Sequence, residues 1–231
     1  MISENKINIA IDGAAATGKS TLAKRLAKEL YYIYVDTGAM YRAVTYFALK
    51  KNSFSNILQL DQLLKSLPDL KIEFKSTAKG QIIFLNGEDI SNAIRHPEIN
   101  LHVSTLASNA EIRKFLVIQQ QQIALNKGVV MDGRDIGTVV LPHAECKFFL
   151  KATSEIRAQR RYEEQQKAGI DESYHSVLQN VLHRDRLDAT RDISPLKKAF
   201  DAFEIDVTKL TIDEVFEKMR EYLISLGIIT F

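Results

Sequence analysis

The sequence predicts an α/β fold: a doubly wound parallel sheet flanked by helices, carrying a small β-rich insert. Three observations support this. Short apolar runs alternate with amphipathic stretches, which implies parallel strands with helices on both faces and ligands at the carboxyl ends of the strands. The first strand leads directly into a glycine-bounded loop and then a helix, the order of a phosphate-binding loop, or P-loop. Between Leu67 and Ile94 the rhythm changes to alternating runs divided by turn signals, which marks antiparallel strands.

Taken in order, Ile7, Ile9, Ala10 and Ile11 form the first strand, and Leu22, Ala23, Leu26, Ala27 and Leu30 the buried stripe of the first helix. Tyr32–Val35 reads as a short buried strand, followed by a helix from Ala39 to about Lys51. Residues 52–60 (Asn52, Ser53, Phe54, Ser55, Asn56) are polar and loop-like and are expected as a loop. In the insert, Lys71–Lys75 alternates, Ala78-Lys79-Gly80 turns, and Ile82–Leu85 runs into Asn86-Gly87, a hairpin signal. Helices are expected at 97–107 and 109–127, then a buried strand from Gly128 to Asp132. Lys147–Leu150 is another strand, and Thr153 or Ser154 caps the helix after it. Lys167-Ala168-Gly169 breaks that helix, a second charged helix spans 172–188, and Ile205–Val207 and 212–226 close the chain as strand and helix. At 231 residues, one domain (1–231) is expected, with the insert at 60–96 inside it.

Composition excludes several classes. A formal charge of +2 gives no field strong enough to drive the chain onto nucleic acid or a membrane surface. Cys146 is the sole cysteine, so no internal disulfide forms, and its neighbours Phe148, Phe149 and Leu150 mark a buried strand residue. With no apolar signal region and no run able to span a bilayer, a cytoplasmic location is expected.

The loop comprises Gly13, Ala14, Ala15, Ala16, Thr17, Gly18, Lys19, Ser20 and Thr21. Successive backbone N–H groups in such a loop make a concavity for phosphate, and the helix that follows adds its positive end. Lys19 is expected on the outer phosphates and the Ser20 hydroxyl on magnesium. Loops of this kind serve motors, switches and kinases alike. A guanine-nucleotide switch would need an Asn-Lys-x-Asp reader. The two Asn-Lys steps, Asn5-Lys6 and Asn126-Lys127, are followed two residues on by Asn8 and Val129, so the reader is missing.

Arginines supply the second signal. Phosphoryl transfer between two nucleotides brings like charges together, and arginine suits the task because its planar fork holds phosphate oxygens and keeps its proton. Arg184, Asp188 and Arg191 share one face if their helix persists that far, although a solvated face with a weak ion pair would show the same spacing. Arg157 and Arg161, with Arg160 beside them, repeat the pattern among acidic neighbours, so a solvated face is open there too. Arg42 follows Asp36-Thr37-Gly38 close to a strand end, where a surface arginine is the alternative. Asp132-Gly133-Arg134-Asp135 directly after an apolar strand points more firmly to function.

At these positions the chain resembles the bacterial-type cytidylate kinases of the nucleoside monophosphate kinase family. The matching stretches are Gly13–Thr21, Asp36–Arg42, Asn86–Ile90 with Ile94-Arg95, Asp132–Val140, Arg157–Arg161, and Arg184-Asp185 through Asp188 to Arg191, Pro195 and Leu196. The resemblance implies ATP as phosphoryl donor, magnesium, and CMP or dCMP as acceptor. It implies a base pocket from Thr37, Ser104, Arg113 and Asp135, a sugar contact from Arg184 and Asp188, and a phosphate clamp from Arg42, Arg134 and Arg191. A helical lid at 154–172 would carry Arg157, Arg160 and Arg161 over the donor, and the insert would lie on the acceptor side. The implied partners are small nucleotides alone, with no nucleic acid and no membrane, and a monomer is expected. Ala14, Ala189 and Ser194 depart from the residues common in the family without removing a charge.

Overall fold

The computed structural model describes residues 6–51, 57–77 and 80–229. They divide into two compact units: residues 1–35 with 123–231, and residues 36–122.

The first unit is built on a five-stranded sheet. Its strands are β1 (Asn8–Gly13), β2 (Ile33–Asp36, whose last residue opens the second unit), β6 (Val129–Gly133), β7 (Cys146–Lys151) and β8 (Phe203–Asp206). Their order is β2-β6-β1-β7-β8, and β1 pairs in parallel with both β6 and β7. The register sets Asp12 opposite Gly133 and Gly13 opposite Leu150, so the phosphate loop leaves the centre of the sheet. Ile9, Ala10, Ile11, Val129, Val130 and Met131 are fully buried, as parallel strands covered on both faces require. The core is completed by α1 (Lys19–Leu30) through Leu22, Leu26 and Leu30, and by α8 (Ile212–Ser225) through Phe216, Met219 and Leu223. Thr211 and Glu214 form a capping box at the start of α8. Cys146 is buried in β7 as expected, and burial pushes its thiol pKa up. Helices α6 (Ser154–Lys167) and α7 (Tyr174–Thr190) pack on each other through Ala158, Val177 and Val181.

The second unit carries α2 (Thr37–Lys50), α3 (Ile57–Ser66), α4 (Pro97–Leu106) and most of α5 (Ala110–Ala124), with buried residues of its own such as Met40, Val44, Leu63, Ile90 and Ile112. The expected antiparallel insert is present as β3 (Ile72–Thr77), β4 (Gly80–Leu85) and β5 (Glu88–Asp89). Asn86 (φ 50°) and Gly87 (φ 84°) make the two-residue turn between the last two. The other expected turn includes residues 78–79, which lie outside the described residues.

Two local expectations are corrected. Of the loop expected over 52–60, residues 52–56 lie outside the described residues, and from Ile57 the chain is helical instead. Leu60, Leu63, Leu64 and Leu67 keep a helical spacing that buries Leu63 and Leu67. Helix α5 ends at Ala124 and not Lys127, because Lys127 (φ 55°) and Gly128 (φ 73°) turn the chain into β6. Between Asp135 and Leu141 the chain makes a wide turn, Ile136–Val140. Among the described residues no helix is long and apolar enough to cross a membrane.

Candidate functional site

The phosphate loop takes its shape from two constraints. Gly13 lies so close to β7 that a Cβ there would meet the Leu150 carbonyl oxygen at 2.3 Å, and Gly18 begins α1 at φ 88°. Ala16 is also left-handed, at φ 60°, an alanine conformation that costs about 1–2 kcal/mol and is tolerated mostly where function requires it. Inside the loop the Ala14 carbonyl accepts from Thr17 Oγ1 at 3.0 Å and from Lys19 Nζ at 2.9 Å. Thr17 and Lys19 are buried, while Thr21 on the first turn of α1 is exposed.

The ends of β1 and β6 face this loop with carboxylates. Asp132 accepts from Ser20 Oγ at 2.9 Å through one oxygen and from Tyr34 Oη at 2.8 Å through the other. Asp12, the last residue before Gly13, accepts from the backbone N–H groups of Ile136 and Gly137 at 2.8 and 2.7 Å. Burial is the main reason its pKa rises to about 7. Asp135 adds to the rise, and the two amides and Lys19 oppose it.

Beyond β6, four charges gather. Arg134 donates from Nε to Asp188 at 2.7 Å. Arg191 lies 3.7 Å from Asp188 and 3.8 Å from Asp135. Helix α7 stops at Thr190, so Arg191 occupies its cap position and also donates to the Ser194 carbonyl. The side chains of Asp135, Asp188 and Arg191 are at most 10% exposed, so these charges must be held by one another. Burial alone would raise the Asp188 pKa, yet Arg134, Arg191 and Arg184 outweigh it and hold the carboxylate below its ordinary value. Burial likewise opposes charge on Arg134, and Asp188 reverses that effect.

The α6 arginines divide. Arg157 is buried, grips both oxygens of Asp185 on α7, and donates at 3.4 Å to the Ala15 carbonyl of the phosphate loop. Arg160 donates to the Val207 carbonyl at 2.8 Å, just past β8. Arg161 pairs with Glu164 one turn on.

The remaining candidates belong to the second unit. Asp36 caps α2 by accepting from Ala39 N–H at 2.8 Å and also holds Arg42 at 2.9 Å. Thr37 is buried, Ser104 half-buried, and Arg113 buried with its guanidinium 5.3 Å from the Tyr41 ring and bonded to the Ala107 carbonyl. The sequence assigns no specific role to Asp12, Asp36 and Asp185, and marks Asp132 only as part of a cluster that points to function. The signal was present in that Asp12, Asp36 and Asp132 lie at or beside the carboxyl ends of strands.

A phosphate loop leaving the central strand, with its serine bonded to an aspartate at the end of the neighbouring strand, defines a P-loop nucleoside-triphosphate site. The model of the cytidylate kinase family matches residues 9–225. The cytidylate kinase of Bacillus subtilis (strain 168) is 50% identical over 218 residues, covering 94% of this chain and 96% of that one. That of Bacillus anthracis (strain CDC 684 / NRRL 3495) is 48% identical over 223 residues, covering 96% and 98%. A solved structure of an uncharacterized protein from Eubacterium ventriosum ATCC 27560 shares the fold, with a TM-score of 0.52 at 14% identity over 96% of this chain and 99% of that one. The chain belongs to the cytidylate kinase family.

Proposed function

We propose that the chain transfers the γ-phosphoryl group of ATP to CMP, and also to dCMP, giving CDP or dCDP and ADP. The observation that supports this most is the cluster of Arg134, Asp135, Asp188 and Arg191 beyond the strand next to the phosphate loop. Fixed cations there offset the repulsion between an acceptor phosphate and a donor triphosphate, and the low exposure strengthens every interaction made.

An acceptor phosphate oxygen attacks the γ-phosphorus, and the bond from that phosphorus to the β–γ bridging oxygen breaks. No protein nucleophile takes part, so catalysis is positioning and charge neutralisation. Lys19 and the loop amides grip the donor phosphates. Arg134 and Arg191 hold the acceptor phosphate, Arg184 and Asp188 its sugar, and Asp135 accepts from the cytosine amine. From the second unit we assign Arg42 to the acceptor phosphate and Thr37, Ser104 and Arg113 to the base. Arg157, Arg160 and Arg161, on a lid at 154–172, close on the donor and exclude water.

Ser20 Oγ and the Asp132 carboxylate suit magnesium, a hard cation that takes one or two protein oxygens and completes its shell with phosphate and water. What magnesium supplies when held there is charge neutralisation at the donor's outer phosphates.

The test is ADP release measured side by side with CMP, dCMP, UMP, AMP and GMP. CMP and dCMP are expected to give the highest kcat/KM, and a preference for AMP or GMP would overturn the reading. Asp135→Ala is expected to raise the KM for CMP by about tenfold or more, the value of one good charged hydrogen bond, with little change for ATP. Equal weakening of both would remove Asp135 from the base pocket.

A further inference from the structure

Asp12 is bonded directly to the first residue of the phosphate loop, yet both carboxylate oxygens are committed elsewhere. They accept the N–H groups of Ile136 and Gly137, which open the turn that follows Arg134 and Asp135. Two later amides of that turn, Val139 and Val140, return to the Asp135 carbonyl at 2.9 and 3.2 Å. Ile136 is fully buried, so without Asp12 two buried donors would lose their partner at about 1–3 kcal/mol each. The chain just past the same turn is fixed from β7. Lys147, 4% exposed, donates to the Pro142 carbonyl at 2.6 Å and to Asp201 at 2.8 Å. A Cβ on Gly137 would lie 3.1 Å from Lys147 Cδ and 3.3 Å from Asp12 Oδ2, so the backbone passes between the two anchors.

A buried carboxylate is costly. An apolar residue at this point of β1 would continue the run of Ile9, Ala10 and Ile11 without that cost, so the acid is there for the two amides it holds. Arg134 and Asp135 are thereby fixed twice, by their side chains through Asp188 and Arg191 and by their backbone through Asp12. We infer that Asp12 is a positioning residue for the acceptor, holding the backbone of Arg134 and Asp135 in register with the donor loop that it precedes. The inference rests on the proposed acceptor roles of those two residues.

Asparagine at position 12 keeps the size but replaces one acceptor by a donor facing an N–H, so Asp12→Asn breaks one of the two bonds. Steady-state kinetics with CMP and ATP varied in turn, and hydrogen exchange at the Ile136 and Gly137 amides, test the role. The expected result is a KM for CMP raised about tenfold, a KM for ATP within about twofold, and faster exchange at one or both amides. Gly137→Ala, which crowds the same bond from the other side, is expected to raise the KM for CMP in the same direction by a smaller factor. It decides by the same split if Asp12→Asn does not fold. Equal rises in both KM values, or an unchanged KM for CMP, overturn the inference. Wild-type protein that ignores CMP would instead remove the proposed function, so the two failures are distinguishable.

Discussion

Arginine meets carboxylate in two contrasting settings in this molecule. Beyond β6, Arg134 and Asp188 pair at 2.7 Å across 54 residues of sequence, with side chains 20% and 10% exposed. On α6, Arg161 and Glu164 pair at 3.1 Å across three residues, 33% and 70% exposed. The distances differ little, but the consequences differ greatly. Solvent screens the second pair and stands in for either partner if the other leaves, so it contributes at most a few tenths of a kcal/mol. The first pair has been taken out of water, and neither charge is tolerable there alone. Burial and separation along the chain, not the measured gap, give an ion pair its importance.

Lys19 sharpens the contrast most. It is as buried as the acceptor cluster, donates to the Ala14 carbonyl and opposes the rise in the pKa of Asp12, and it stands in the loop expected to grip the donor phosphates. Lys19→Ala is therefore expected to cut turnover by about 10²–10³-fold, the usual loss when one preorganised donor is removed. The melting temperature should move by only a few degrees. Near-wild-type ADP release in a coupled assay would break the scheme.

Asp188→Ala comes next. It leaves Arg134 and Arg191 buried beside less negative charge and is expected to lower the unfolding free energy by about 3 kcal/mol at neutral pH. The sign of the pH dependence follows from the depressed pKa of Asp188. Its contribution is present above the ordinary carboxylate value of 3.8 and is lost as pH falls through the lower folded value. Urea unfolding of wild type and variant should therefore show the stability gap closing as pH is taken below 3.8. A gap that persists unchanged in acid would mean that packing, and not charge, holds this cluster.

Much of this arrangement was legible in the sequence because it is local. The loop from Gly13 to Thr21, the hairpin at Asn86-Gly87 and the strands that end at Asp36 and Gly133 follow from short patterns. The paired arginines were harder to read. The spacing of Arg157 and Arg161 puts both on α6, yet one is buried against Asp185 and the loop while the other turns to Glu164. Helical periodicity reports which residues share a side and says nothing of what a second helix brings to it. What Asp12 binds was illegible for a related reason, although its place at a strand end was visible. A lone acid after three apolar strand residues looks like the start of a loop, and only the pairing of β1 with β6 and the turn after Asp135 reveal the amides it serves.

The smallest expected stability effect is at Arg161. Arg161→Ala removes a screened pair on a helix surface, so the unfolding free energy should change by less than about 0.5 kcal/mol. Activity should respond differently, because a lid arginine acts only when donor and acceptor are both bound and its stabilisation appears in the transition state. The expected outcome is kcat lowered about tenfold at an unchanged melting temperature, with the KM for CMP unmoved. Were kcat also unmoved, Arg161 would be the solvated helix residue that its pairing with Glu164 describes, and only Arg157 and Arg160 would remain as donor-side arginines.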